Sequence, residues 1–291
     1  MTNSQLEKQV YEKLLPVYGH NESLSMQRFL FSALHGKQNH EWLLLRNSEV
    51  SETLKTRVET AIPLLLNHMP VQYVVGKTWF YDLELSVEPG VLIPRPETEE
   101  LVRAIVLKHH LDKSVEILDI GTGSGAIALS LCSQLPFAKV SAADISDIAL
   151  TVAAKNALNL KLDINLYKAD FLNEEAYSLF GKYNIIVSNP PYVKESEKQF
   201  MLPNVLDYEP FEALFVPDSD PLVFYRKILA FASSHLYERG EVWFEINESE
   251  AVNVARLFTD NGFGNIRIYN DFKGKERFVS GVFNFGDQDY A

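Results

Sequence analysis

Cysteine is almost missing from the 291-residue chain: Cys132 stands alone, which excludes an intrachain disulfide. No Cys/His cluster has zinc spacing. The seven histidines are scattered, and the neighbours His109 and His110 point to different sides of any helix that holds them. No structural metal is expected. Long hydrophobic runs are lacking too. Stretches such as Ala61–Leu66 fall far short of the roughly 20 residues a membrane helix needs. Residues Met1–Lys8 carry no basic segment leading into an apolar one, so neither a membrane span nor a secretory signal is expected, and the expected location is cytoplasmic. Low-complexity tracts are absent. With 46% apolar and 23% charged residues, the chain has the composition of one large or two modest globular domains.

An excess of positive charge is also missing. The net charge is −12, and residues 1–75 hold seven basic and seven acidic residues, so the whole deficit lies beyond them. A polyanion partner calls for a basic stripe that neutralises phosphates. The larger part of the chain is acidic instead, which weighs against DNA or bulk RNA as substrate.

What is present falls into segments of different period. Residues 4–75 read as helices only. Ser4 and Glu7 have capping-box spacing, followed by Leu6, Val10 and Leu14 at helical intervals. Met26, Phe29, Leu30, Ala33 and Leu34 form a second stripe stopped by Gly36. Asn39 and Ser51 are candidate caps for two more helices, the latter carrying Leu54, Val58, Ile62 and Leu65. A small helical bundle is expected over residues 1–75, with its aromatics, Trp42 included, in the core. Over 76–93 the pattern alternates like strands, with Glu88-Pro89-Gly90 as a turn, and a linking β-hairpin is expected. Pro96 suits a first helical position, and Glu97, Glu99 and Glu100 complement the positive end of that helix.

From residue 94 to 291 strands and helices alternate. The strand-like runs are Val115–Ile120, Lys139–Asp144, Ile164–Tyr167, Asn184–Ser188, Glu241–Ile246, Asn265–Tyr269 and Arg277–Phe285. Helical patterns include Ala149–Leu158, Pro221–Leu236 and Ser249–Asp260. Such alternation predicts an α/β, doubly wound, mostly parallel sheet. Asn270–Glu276 is too short for a crossover helix, so the last strand should be antiparallel. Six parallel strands plus one reversed C-terminal strand is, by analogy of topology, the methyltransferase variant of the Rossmann-like fold.

Ile117–Ala126 reads Ile-Leu-Asp-Ile-Gly-Thr-Gly-Ser-Gly-Ala and sits where the first strand of this region meets a helix. Gly121, Gly123 and Gly125 let the backbone approach a ligand, with Thr122 and Ser124 between them. Asp144 ends the next strand, where a carboxylate can accept from both hydroxyls of a ribose. The same residues satisfy a nicotinamide-dinucleotide fingerprint, and a plain packing turn also uses such glycines. Asp170 and Phe171 follow the third strand at the same sheet edge. There an aspartate can accept from an adenine amino group while an aromatic packs on the ring.

Asn189-Pro190-Pro191-Tyr192 ends an apolar strand and carries the most chemistry. Two prolines fix both φ angles and hold the Pro190 carbonyl as a rigid acceptor. Asn189 adds a side-chain carbonyl, so two acceptors can take both hydrogens of a target NH2 while Tyr192 lies against its flat face. Amide and aromatic amino nitrogens are poor nucleophiles because their lone pairs are delocalised. Paired acceptors favour the pyramidal geometry of attack without a strong general base. A dehydrogenase has no comparable use for this pair. Glycine loop, Asp144 and tetrad together indicate a methyltransferase using S-adenosyl-L-methionine.

The tetrad alone serves DNA or RNA adenine-N6 methyltransferases as well as protein glutamine methyltransferases. The segments Pro70–Gly76, Val91–Val102, Leu118–Ala128, Asn189–Tyr192, Tyr208–Leu214 and Asn270–Arg277 together resemble the peptide chain release factor glutamine methyltransferases, the HemK/PrmC family, with Pro94-Arg95-Pro96 the most specific part. The resemblance implies N5-methylation of the glutamine in the Gly-Gly-Gln motif of class I release factors, and residues 1–75, too generic to carry the resemblance themselves, are expected to dock that partner. It also implies cofactor contacts from Gly121–Gly125, Asp144, Phe171 and Asn189, beside the Asp170 contact expected above, and a grip on the substrate glutamine by Asn189–Tyr192. Phe171 departs from relatives with Trp there, which keeps stacking and removes any indole hydrogen bond. Arg95 and Glu97 match the pattern without a stated role. The alternative, a nucleic-acid adenine methyltransferase, calls for a basic recognition domain that the neutral first 75 residues do not offer.

Overall fold

A computed structural model describes residues 1–36 and 43–283. Asn39, Trp42 and the end of the last expected strand at Phe285 lie outside the described residues. The chain divides into two compact units. The first gathers residues up to Thr78 with Val87–Pro89 and Leu202–Tyr208. The second holds Trp79–Ser86, Gly90–Met201 and the chain from Glu209 onward.

The first unit is helical. Helix α1 (Asn3–His35) starts two residues earlier than its sequence pattern suggests. Thr2, not Ser4, is the cap: its Oγ1 accepts from the Gln5 N–H at 3.3 Å, and the Gln5 side chain accepts from the Thr2 N–H at 2.8 Å. The shift has a cause in the chain it meets. The Asn3 and Ser4 N–H groups donate to the carbonyls of Ser48 and Arg46, and Glu7 pairs with Arg46 at 2.8 Å instead of capping. Gly19 (φ 71°, ψ −179°) breaks the helical run between the two apolar stripes. Leu6, Val10, Leu14 and Leu30 pack with Leu54, Val58, Ile62 and Leu65 of α2 (Glu52–Leu66), which Ser51 caps at 3.2 Å. A short α3 (Val71–Val75), absent from the sequence expectation, ends on Gly76 in the left-handed region. Far along the chain Tyr208 joins this unit, donating to the Asn67 carbonyl at 2.5 Å and accepting from the Asn67 side chain at 2.8 Å.

Strands β1 (Lys77–Phe80) and β2 (Leu83–Ser86) pair as a small sheet. The two residues between them, Tyr81 and Asp82, both have positive φ (47° and 65°), as the tightest hairpin turns require.

The large sheet has seven strands: β3 (Val115–Ile120), β4 (Ala138–Asp144), β5 (Asn165–Lys168), β6 (Tyr183–Ser188), β9 (Leu236–Glu245), β10 (Phe263–Asn270) and β11 (Glu276–Phe283), in the order β10-β11-β9-β6-β3-β4-β5. β3, β4, β5, β6 and β9 pair parallel, and β11 pairs antiparallel with both β9 and β10, so six strands point one way and β11 alone is reversed. Two further short strands, β7 (Val193–Lys194) and β8 (Phe215–Val216), pair parallel as a separate small sheet. Alternate residues feed two cores. Leu118, Ile186, Val242 and Phe244 face one, with α7 (Val223–His235) and α8 (Ala251–Asp260). Ile117, Ile185, Val187 and Trp243 face the other, with α4 (Pro96–His109) and α5 (Ala126–Gln134). Period-two burial on both faces makes these strands near-continuous apolar runs. Helix α6 (Asp147–Leu160) follows β4. No helix is long and apolar enough to cross a membrane among the described residues.

Candidate active site

The chain leaves β3 for β4 and β5 on one side and returns to β6 on the other, so the sheet's switch point lies between β3 and β6. Doubly wound sheets bind ligands at that point, beyond the carboxyl ends of the strands. Register brings the candidate residues level there. Ile120 lies opposite both Ala143 and Ser188, and Ser188 opposite Phe244. Gly121, Asp144, Asn189 and Glu245 therefore emerge together along one edge.

The glycine loop is held from several sides. The Gly121 and Thr122 N–H groups donate to the Ala143 carbonyl at 2.8 and 3.0 Å. The Gly123 N–H donates to Asp144 Oδ2 at 2.8 Å, while Asp144 Oδ1 accepts from the Ser146 N–H at 2.9 Å. Burial raises the Asp144 pKa against these hydrogen bonds. Gly125 has φ +82°, and a Cβ there would meet Leu129 Cδ1 at 3.0 Å and Ala153 Cβ at 3.3 Å, so close packing and backbone both demand glycine. The Ser124 carbonyl accepts from Asn156 Nδ2 at 2.9 Å, and Asn156 also exchanges two hydrogen bonds with the backbone of Ser86. Asn156 thus staples the loop to the hairpin, a function invisible in an otherwise apolar helix pattern.

Thr122 turns inward. Its hydroxyl donates to Asp119 Oδ2 at 2.6 Å, which also accepts from the Ala128 N–H at 3.2 Å. Asp119 is fully buried, its Oδ1 has no partner, and burial pushes its pKa to about 7. It was not singled out in the sequence, although an aspartate in the apolar run before the glycines is a signal that was available.

Asp170 Oδ1 accepts from the Leu172 N–H at 2.9 Å, so this side chain shapes its own turn at the rim. Phe171 lies inside: only 5% exposed, it packs against Phe180 and Phe231 with ring centroids 5.3 and 5.1 Å away. The ring belongs to the core, which limits the face it can offer a ligand.

The tetrad follows β6 with Pro190 buried and Asn189 half-buried. Asn189 Nδ2 points at Thr98 Oγ1, 3.4 Å away. Thr98 donates to Glu245 Oε2 at 2.6 Å, and the Tyr192 hydroxyl donates to Glu245 Oε1 at 3.1 Å. Burial raises the Glu245 pKa, opposed by the Thr98 and Tyr192 hydrogen bonds and the Arg277 charge. Burial and the Glu245 charge push the Tyr192 phenol far up, so it stays protonated. Tyr225 adds a hydrogen bond from its hydroxyl to the Glu245 carbonyl at 3.1 Å. Glu245 and Thr98 escaped the sequence expectation. The acid inside the apolar run Val242–Ile246 was the available sign.

Arg95 finds a structural partner here. Its Nη2 lies 2.6 Å from Glu209 Oε1, and Glu209 Oε2 accepts from the Ile93 N–H at 3.2 Å, the carboxylate being 1% exposed. Lys273 Nζ sits 2.5 Å from Glu97. Both ion pairs tie the start of α4 to distant segments.

A doubly wound sheet with one reversed strand, and a glycine loop and Asn-Pro-Pro-Tyr at its switch point, define a methyltransferase fold. A crystal structure of a methyltransferase from Pyrococcus furiosus has this fold with a TM-score of 0.51 and 18% identity, covering 80% of this chain and 99% of that one. The family model described as methyltransferase small domain matches residues 101–206, and the PrmC N-terminal domain model matches residues 8–76. The release factor glutamine methyltransferase of Flavobacterium psychrophilum is 39% identical over 274 residues, covering 93% of this chain and 95% of that one. That of Bacteroides thetaiotaomicron is 40% identical over 275 residues, covering 93% and 96%. The chain belongs to the release factor glutamine methyltransferase family.

Proposed function

We propose that the chain transfers a methyl group from S-adenosylmethionine to the N5 side-chain amide nitrogen of the glutamine in the Gly-Gly-Gln motif of class I release factors, in the cytoplasm. The carrying observation is an intact Asn189–Tyr192 tetrad beside the glycine loop, in a chain nearly 40% identical along almost its whole length to relatives bearing that name.

The residues fit the donor. The unpartnered Oδ1 of buried Asp119 suits a cationic amino group, and Asp144 keeps a second lone pair on each oxygen for ribose hydroxyls. Gly121–Gly125 form the cradle, and Asp170 at the rim faces the adenine edge. When bound, S-adenosylmethionine supplies an electrophilic methyl on its sulfonium sulfur. Asn189 Oδ1 and the Pro190 carbonyl accept the two hydrogens of the target amide and turn its lone pair out of conjugation. Pro191 keeps the pair rigid, and Tyr192 packs on the amide plane. The amide proton leaves once methylation has made the nitrogen acidic. No side chain need be a strong base.

Residues 1–75 are the proposed docking segment for the body of the release factor. Mass spectrometry of release factor incubated with the enzyme and labelled cofactor tests the reaction. One methyl on the motif glutamine is expected, and transfer only to a DNA or RNA adenine run in parallel would overturn it. Lysine cross-linking of the full-length pair tests docking. Cross-links from Lys8, Lys13 or Lys55 are expected, and cross-links confined to residues beyond 93 would refute the role.

A further inference from the structure

The Asn189 amide can serve as acceptor only if its carbonyl faces the target and its NH2 faces away. A primary amide is nearly symmetric in shape, so something must break the tie. The neighbours of Asn189 do so by their proton inventory. Thr98 has one hydroxyl proton, and it is given to the buried Glu245 Oε2, which accepts it at 2.6 Å. That proton is therefore committed to the carboxylate. What Thr98 presents to Asn189, across 3.4 Å, is a lone pair, which only the NH2 half of the amide can meet. The same carboxylate receives the Tyr192 hydroxyl through its other oxygen at 3.1 Å, so both polar ends of the tetrad are oriented from one buried group.

We propose that Thr98 and Glu245 are positioning residues: Glu245 polarises the Thr98 hydroxyl, and Thr98 then selects the Asn189 rotamer whose carbonyl faces the substrate amide. This rests on the reaction proposed above, and it adds residues from α4 and β9 to a function otherwise carried by four consecutive residues. Neither Thr98 nor Glu245 touches the reacting atoms. Direct support comes from burial. Glu245 is 1% and Thr98 4% exposed, and a buried carboxylate with two hydroxyl donors has no water to exchange them for. Burial raises the Glu245 pKa, and the hydrogen bonds from Thr98 and Tyr192 oppose that rise.

Thr98→Val keeps shape and removes the lone pair, and Thr98→Ser restores it. With full-length enzyme and release factor, Thr98→Val should lower kcat about tenfold, the size of one lost hydrogen bond. Affinity for S-adenosylhomocysteine should stay within about twofold, since the cradle is untouched. Thr98→Ser should recover most of kcat. In an Asn189→Ala background the Thr98→Val effect should vanish, because the two act as one unit. A readout independent of turnover is the Asn189 side-chain NH2 signal, assigned by its loss in Asn189→Ala, which should move in Thr98→Val and return in Thr98→Ser. An unmoved signal, or a Thr98→Val loss that persists in full without Asn189, would overturn the positioning role. If the wild type transfers nothing to release factor, the reaction above falls, and the amide signal alone decides this one.

Discussion

Asp144 and Gly123 are joined by a hydrogen bond of 2.8 Å from the loop N–H to the carboxylate, so the acid proposed to meet a ribose also holds the loop that would carry the rest of the cofactor. Asp144→Ala should therefore act twice. Loss of a charge-assisted partner weakens S-adenosylhomocysteine binding by about 1.5–3 kcal/mol. The unliganded protein should also melt lower, because the Gly123 and Ser146 N–H groups lose their acceptor. Calorimetric titration and a melting curve separate the two effects. Unchanged affinity with a lowered melting point would leave Asp144 a purely structural residue.

Asn189→Ala removes one of the two proposed acceptors and should slow methyl transfer about 100- to 1000-fold. Replacing the release-factor glutamine by asparagine shortens its reach by one methylene and should abolish transfer, since attack depends on alignment to a fraction of an ångström. Methyl incorporation measures both. Near-normal rates with either change would remove the paired-acceptor mechanism.

Asp119 titrates at about 7 against an ordinary 3.8, raised by burial. The native state thus holds a proton the unfolded chain has already lost, and stability falls as pH rises between those values. Asp119→Asn has no such dependence. Above pH 7 the variant without ligand should melt several degrees higher than wild type, with the gap closing towards pH 4. A gap that ignores pH would show that the carboxyl is not the titrating group. The same variant should bind S-adenosylhomocysteine more weakly, which a titration at pH 8 reads directly.

His109 has the opposite sign. Burial acts to lower its pKa, but hydrogen bonds and charge from Glu241 and Asp112 outweigh it and raise it above 6.5. Its stabilisation is fully present below 6.5 and lost as pH rises through the folded value. Glu241 is shifted down from 4.5, burial opposing and His109 and Lys108 prevailing, so its share is lost only below that value. The melting advantage of wild type over His109→Gln should be largest between about pH 5 and 6 and shrink in alkali. An advantage that grows with pH would reverse the assignment.

The glycine loop, Asp144 and the tetrad were legible because each is a run of neighbouring residues at a strand end, where chain order alone implies position. The sheet was legible for the same reason: Ile117–Ile120 and Ile185–Ser188 are too apolar to be anything but central strands. Thr98, Glu245 and Asn156 were not. Thr98 is hidden among charged neighbours, Glu245 and Asn156 are polar residues in largely apolar runs, and the meaning of each lies in partners about 30 to 150 positions away that only the folded register brings close. Phe171 shows the converse limit. Its place after β5 was legible, whereas its burial among Phe180 and Phe231 depended on a helix from much later in the chain. The helix cap slid from Ser4 to Thr2 because the carbonyls of Arg46 and Ser48 took up the first N–H groups, a tertiary contact overriding a local motif.

Tyr208 belongs to the helical unit although more than a hundred residues of the other unit precede it, and it is fastened there to Asn67. The helical unit is consequently not one continuous stretch of chain. A hybrid enzyme made by one splice near residue 76 would inherit Asn67 from one parent and Tyr208 from the other. To exchange the helical unit between relatives cleanly, a designer must graft Val87–Pro89 and Leu202–Tyr208 along with it, making five joints where a gene map suggests one.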